Sequence, residues 1–530
     1  MKKIASILAL LLVAVMLLSA CGGSGGDGGG KSPAPTDATK APDTSSGEPA
    51  APEPRTLAVG TLDSADGFDP TTNSNCGLGL SLVYDPILIL DYETNEIKPN
   101  LALSIGFVDD LTFELVMRDD VHFSNGELMT PEDVMYSLSR FVFENTQFET
   151  GFDNIDFDAT TIDGNKITIK LHKPDPDFAY KLSNDRWASV LCKSYVESTD
   201  KEAFWDAPVG TGAYVCVENV AGSHATYKRR DDYWGELPEP ETITIKYYSE
   251  ITTMMVDFEN KVLDIVLNVG VNEYDQAAGG AYSDTEVKLL PAYDNLSVTM
   301  PQYMEVFQDI RVRQAVAMAL DVEGITKAVF GSLGTVADSC LIKGMEYYVP
   351  IRVNEYNPER AKELLAEAGY EPGELTLLML FPSMPINDKA STIIQAQLKE
   401  VGINLNIETG DFATVIPRLM NNECELGLSG TGGGTFIASS IFKLIGEEGT
   451  NGSVRMADEE FNKYIREGNT SIDPAVRAEA YKKAQQWVAA NYWYIPVAYS
   501  NGAVLYHTNV DNVTGLTARS VNLKFVTYTD

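Results

Sequence analysis

The chain has 530 residues, 76 of them acidic and 40 basic, giving a formal net charge of −36. Such a surplus of negative charge argues against a nucleic-acid or teichoic-acid binder, because affinity for a polyanion is built from Lys and Arg. It suits a soluble secreted protein and would steer a cationic ligand inward, and the length calls for two or three lobes rather than one core.

The first 21 residues are not part of the fold. Lys2 and Lys3 precede an apolar run over 4–20 that only Ser6 and Ser19 interrupt. A basic start, an apolar stretch and small residues before a cut describe a secretory signal. At about 17 residues the run is at the short end for a membrane span. Leu18-Ser19-Ala20-Cys21 resembles a bacterial lipobox, which implies a signal peptide over 1–21 and Cys21 as the lipidated N-terminus. Residues 22–55 are dominated by Gly, Pro, Ser and Thr and hold no aromatic residue. Such a stretch buries too little apolar surface to offset ordering entropy, so a disordered tether is expected. Its ends would lie roughly 30–35 Å apart as a flexible coil.

Beyond the tether, strand and helix signals alternate. "LTFELVMR" (111–118) puts Phe113, Leu115 and Met117 on one face, which predicts a half-buried strand. Asn125-Gly126 signals a turn. "TPEDVMYSLSRF" then opens a helix with Thr130 as N-cap, Pro131 at N1 and Asp133 completing a capping box. "IRVRQAVAMALD" (310–321) reads as a helix with Val312, Val316, Ala319 and Leu320 inward. Asn357 and Pro358 start a further helix that Gly369 stops. "DKASTIIQAQLKEVG" is helical up to Gly402, "INLNIE" alternates as a strand, and Asp473-Pro474 opens another capped helix. The whole predicts an α/β, multi-lobed body.

With Cys21 lipidated, Cys76, Cys192, Cys216, Cys340 and Cys424 remain, an odd number. One or two disulfides and buried free thiols are both open. His122, His172, His224 and His507 are dispersed without metal-ligand spacing, so no metal site and no cofactor is expected.

"ELGLSGTGGGTF" (425–436) is the stretch that invites a catalytic reading. A phosphate-binding loop needs Lys after the second glycine of Gly-x-x-x-x-Gly, and Gly433 stands there after Gly427 and Gly432. A nucleophile elbow needs Gly two residues after Ser429, where Thr431 stands. Ser440-Ile-Phe-Lys443 matches Ser-x-x-Lys, the signature of a serine acyl-enzyme, but no Lys-Thr-Gly occurs anywhere. The expectation is that the protein is not an enzyme.

Five segments together resemble a known family. They are "DDLTFELVMRDDVHFSNGELMTPEDVMYSL" (109–138), "PVGTGAYV" (208–215), "RRDDYWGELPEPETITIKYY" (229–248), "FQDIRVRQAVAMALD" (307–321) and "YNPERAKELLAEAGY" (356–370). In this order they are similar to the family 5 extracytoplasmic solute-binding proteins, the peptide, nickel and related receptors of ABC importers. The resemblance implies an α/β, bilobal periplasmic-binding-protein-like fold with an extra inserted domain and two crossover strands at the hinge. Carried onto this chain, it places lobe I at 56–93, 206–291 and 493–530, the inserted domain at 94–205 and lobe II at 292–492. The crossovers fall near 292–297 and 494–498.

The resemblance also implies a function. The protein would be a monomer on the outer face of the cytoplasmic membrane, held by lipid on Cys21, that closes on an oligopeptide or peptide-like solute and hands it to ABC permease subunits. Cleft positions follow from the family pattern: Asn73, Asn75 and Gly77 after the first strand, Arg186 and Trp187 in the inserted domain, Tyr293 and Asn295 at the first crossover. The floor would be Gly430, Thr431, Gly432, Gly433 and Gly434. Peptide-binding members carry a tryptophan and an amine-pairing aspartate in that floor, where this chain has Thr431 and, near the aspartate position, Gly434. What remains is exposed backbone that could pair with an extended ligand. The missing anchor motivates an oligosaccharide as the alternative, stacked on Trp187 and Tyr293. Nickel is disfavoured because the floor contains no histidine. Tyr84 and Trp234 read as packing residues.

Overall fold

Two long antiparallel strands, Thr285–Thr299 and Tyr494–His507, run through the middle of an 11-stranded sheet in the computed structural model. They pair from Thr285↔His507 to Thr299↔Tyr494, with irregularities between Leu290 and Asp294 and between Leu296 and Ser297. The structure describes residues 55–530 except 66, 72–76, 92–93, 95, 146–149, 201–206, 353–354, 431–436, 447–455, 518–519 and 530. The leader, Cys21 and the tether up to residue 54 therefore lie outside the described residues.

On one side of this pair the sheet continues through Ile265–Val266, Thr56–Thr61, Thr242–Tyr247, His224–Arg229 and Tyr214–Val220. On the other it continues through Leu426–Gly430, Thr376–Pro382 and Asn404–Gly410. Each half has its own apolar core. Leu57, Val59, Tyr227, Ile243 and Ile245 centre the first. Val298, Leu377, Met379, Ile394, Leu426 and Phe442 belong to the second. The two strands are thus shared by two lobes, and the fold is the bilobal α/β arrangement that the resemblance implied.

A third core belongs to an inserted domain. Its antiparallel sheet runs Ala102–Asp109, Thr112–Met117, Lys166–Leu171, Ile155–Asp163. Phe113, Leu115 and Met117 are buried on its inner face, as the alternation predicts. The helix Pro131–Phe143 lies over that face with Val134, Leu138 and Phe141 buried, a spacing of one helical stripe. Thr130 and Asp133 form the predicted capping box. Elsewhere the local signals also match. Asn357 caps Pro358–Glu367, and Gly369 follows it at φ 95°. Asp473 caps Pro474–Asn491, and Val312, Val316 and Ala319 face inward from Ile310–Ala319.

The "PVGTGAYV" motif has a non-local reason. The Gly212 N–H donates to the Val83 carbonyl at 2.8 Å, bringing two backbones into contact. A Cβ at Gly210 would lie 2.1 Å from the Val83 oxygen, and one at Gly212 would lie 2.4 Å from the Leu82 oxygen. The buried Arg230 guanidinium then ties this crossing down, donating to the carbonyls of Gly210, Gly212, His122 and Phe123 at 3.1–3.3 Å. Among the described cysteines, Cys192, Cys340 and Cys424 are free thiols.

Candidate functional site

The glycine-rich loop leaves the sheet at its centre. Strand Leu426–Gly430 pairs antiparallel with Thr285–Thr299, placing Gly430 opposite Leu296. The Ser297 hydroxyl donates to the Ser429 carbonyl at 2.9 Å and fixes the strand just before the loop. The far end of the loop enters the helix Ala438–Ile445, seated by Ala438, Ile441, Phe442 and Ile445 in the second lobe's core. Thr431, Gly432, Gly433 and Gly434 lie between these anchors, outside the described residues, as do Asn73 and Asn75.

The inserted domain reaches this place through residues 175–187. Phe178 roots the segment in the inserted core, edge-on to Phe113 with ring centroids 5.2 Å apart. The next residue back, Asp177, accepts the Ser439 hydroxyl at 2.5 Å, so it meets the helix into which the loop runs. Further along, Asn184 Oδ1 accepts the N–H groups of Arg186 and Trp187 at 3.0 and 2.8 Å, a side-chain-closed turn. That turn presents Arg186, whose Nε donates to the Pro70 carbonyl of the first lobe at 3.1 Å. One short segment therefore touches the first lobe at one end and the second lobe at the other. Trp187 is half-buried and packs against the inserted core.

The remaining candidates fall in different surroundings. Gly77 adopts φ +60°, and a Cβ there would lie 3.0 Å from Ala65 Cβ, so the chain folds back on itself at this point. The stretch before it is held by Thr71 N–H donating to Asp69 at 2.8 Å and by the buried Asp69–Arg140 ion pair at 3.0 Å. Tyr293 lies in the first long strand at the irregularity between Leu290 and Asp294. Asn295 is 1% exposed. Its amide donates to the Cys340 carbonyl at 3.3 Å and accepts the Tyr494 hydroxyl at 3.2 Å, so it braces the two long strands from inside. Tyr84 is fully buried in the first lobe's core, and the Trp234 indole donates to Asp85 at 3.1 Å beneath the Arg118 guanidinium.

Sequence reasoning did not single out Asp177, Ser439 or Arg477. Asp177 carried a faint signal, an acidic residue just before Phe178 in "PDPDF", the place of a helix cap. A separate cavity of about 580 Å³ lies between the inserted domain and the first lobe, lined among others by Pro86, Leu90, Asp185, Leu290 and Phe525. Among the described residues its lining includes none of the helix Ala438–Ile445. Among the described residues no cluster of three or more His, Cys, Asp or Glu is placed to hold a metal ion. No described helix is long and apolar enough to cross a membrane.

Two lobes that share two crossover strands, with a third core built on its own antiparallel sheet, define a fold of the periplasmic-binding class. The chain belongs to the bacterial extracellular solute-binding proteins, family 5, whose model matches residues 96–453. It is 27% identical over 454 residues to the heme-binding protein A of Haemophilus influenzae, covering 79% of this chain and 82% of that one. It is 25% identical over 469 residues to the dipeptide-binding protein of Escherichia coli, covering 81% and 86%. In structure it is similar to a dipeptide-binding protein of Pseudoalteromonas sp. SM9913 in complex with Met-Leu, with TM-score 0.73, 21% identity, and coverage of 90% and 100%.

Proposed function

We propose that the protein is the extracytoplasmic binding component of an ABC importer, which captures an oligopeptide or peptide-like solute by closing its lobes and delivers it to permease subunits. The observation that carries this reading is where the two anchors of the glycine loop lie. It starts on the strand paired to a crossover and ends on a helix that the inserted domain touches. A solute lying there meets groups from both lobes, and such a solute stabilises whichever arrangement brings the lobes together. Glycine leaves backbone N–H and C=O groups open to an extended peptide, which fits the names of the dipeptide-binding relatives. Of the sequence candidates, the loop residues 430–434 and Arg186 have the central place in this reading. The lipid on Cys21 would hold the receptor beside its permease; stable attachment takes more than one acyl chain, each buried methylene contributing about 0.8 kcal/mol.

The test is a thermal-shift screen of the mature chain against di- to pentapeptides, hemin and oligosaccharides, followed by titration calorimetry of each hit. Peptides are expected to bind at micromolar concentration, about −8 kcal/mol. Hemin belongs in the panel because of the name of the Haemophilus influenzae relative. A response confined to hemin or to saccharides overturns the peptide assignment. Intact mass of the membrane-extracted protein tests the anchor: cleavage before Cys21 with added acyl mass is expected, and an unmodified Cys21 refutes it.

A further inference from the structure

We propose that Asp177 and Arg477 form a latch that holds the inserted domain on the second lobe when the lobes are closed, and that the same carboxylate ties in the helix Ala438–Ile445 through Ser439. This rests on the lobe-closure reading above. The two residues are 300 positions apart, yet Arg477 Nη2 donates to Asp177 Oδ1 at 2.5 Å, with both side chains 7% exposed.

Asp177 stands at the N-cap of the short helix Phe178–Lys181 but makes no capping bond with its side chain. An aspartate in that position ordinarily accepts a backbone N–H of the first turn. Here both carboxylate oxygens are turned outward across the seam, one to Arg477 and the other to Ser439. Arg477 is set by its own lobe. Its Nε donates to the Gly468 carbonyl at 3.0 Å, and its guanidinium lies 5.1 Å from the Tyr347 ring centroid and 5.7 Å from that of Tyr481. The arginine is a fixed socket, and the aspartate is the part that arrives. Burial pulls the Arg477 pKa down, but the Asp177 carboxylate and then Tyr481 push it back above its ordinary value, so the socket is charged.

The energetics give the latch a particular signature. A buried ion pair gains little net energy, because desolvation of both charges nearly cancels their attraction. Removing one partner is different, since the survivor is then buried without a counter-charge in the closed state only. When the lobes part, water hydrates it. A single neutralisation therefore opposes closure, whereas neutralising both charges with shape kept restores it. A residue with a merely structural role would not show that rescue.

The experiment measures distances between spin labels at the exposed positions Asp163 and Lys463, introduced through a noncanonical amino acid in the mature chain, with and without a tryptic casein digest. Wild type is expected to show a long and a short distance. Asp177→Asn should lower the ratio of short to long about tenfold or more, Ser439→Ala should lower it less, and Asp177→Asn with Arg477→Met should bring it back. Ratios equal to wild type in Asp177→Asn and Ser439→Ala overturn the latch while leaving closure standing. A double variant as open as the single one also overturns it. A single unchanging distance in wild type refutes closure and the latch together.

Discussion

Replacing Gly210 with alanine tests the packing reason for the "PVGTGAYV" motif. The added Cβ would sit 2.1 Å from the Val83 carbonyl oxygen and 2.7 Å from Tyr84 Cδ1. Real Cβ contacts do not fall below 3.0 Å, so the two segments must separate by roughly 0.9 Å. Neither neighbour is a flexible tip: one is backbone, and the other is a ring buried in the first lobe's core. Overpacking of this kind costs about 1–3 kcal/mol. Separation also stretches the Gly212–Val83 bond of 2.8 Å and the Ser124 N–H to Gly210 bond of 2.9 Å. Each of these contributes about 1 kcal/mol. The total destabilisation is about 3–5 kcal/mol. Gly106 is the matched control, because it lies exposed on an edge strand and a Cβ there meets nothing within 4 Å. Gly106→Ala should stabilise by about 0.5–1 kcal/mol through the unfolded chain's lost freedom. Urea denaturation followed by tryptophan fluorescence reads both. Equal midpoints for the two variants, or a loss below about 1 kcal/mol at Gly210, would refute the steric reasoning.

Tyr499→Phe removes a hydroxyl that accepts from Ser339 N–H at 3.1 Å and donates to the Leu341 carbonyl at 2.8 Å, both buried. Two orphaned backbone groups should lower stability by about 2–4 kcal/mol in the same denaturation assay, and a loss under about 0.5 kcal/mol would show that they find other partners. Burial pushes the Cys340 and Cys424 thiols up to about 12. Mass-mapped labelling of the native protein at pH 8 should therefore leave Cys340 and Cys424 unmodified and reach them only after unfolding; labelling of either in the folded protein would refute the burial argument. Burial raises the Asp264 pKa above its ordinary value, against the opposing effect of the Ala58 N–H that donates to it. The folded chain then holds this proton more tightly than the unfolded chain, so the destabilisation is absent below about pH 4 and grows as pH rises through the folded pKa. Asp264→Asn keeps an acceptor for Ala58, and its melting temperature should gain on that of wild type as pH rises from 3; parallel profiles would count against the assignment.

Whatever depends on neighbours in sequence was legible without a structure. Thr130 and Asp133, Asn357 and Gly369, and Asp473 act within one helical turn, so their types and spacing suffice to place helix ends. Phe113, Leu115 and Met117 needed only the two-residue period of a strand. The two shared strands and the inserted domain entered through resemblance to a family, since no local rule says that residue 285 pairs with residue 507. Only the tertiary structure decided that Gly210 and Gly212 are glycines because Val83 passes against them. Only it turned Asn295 inward to brace the long strands, and joined Asp177 to Arg477 across 300 residues. The physical reason is common to all three. Steric exclusion, polar satisfaction and charge pairing act over a few ångströms of space, and separation along the chain carries no information about which distant groups will share those few ångströms.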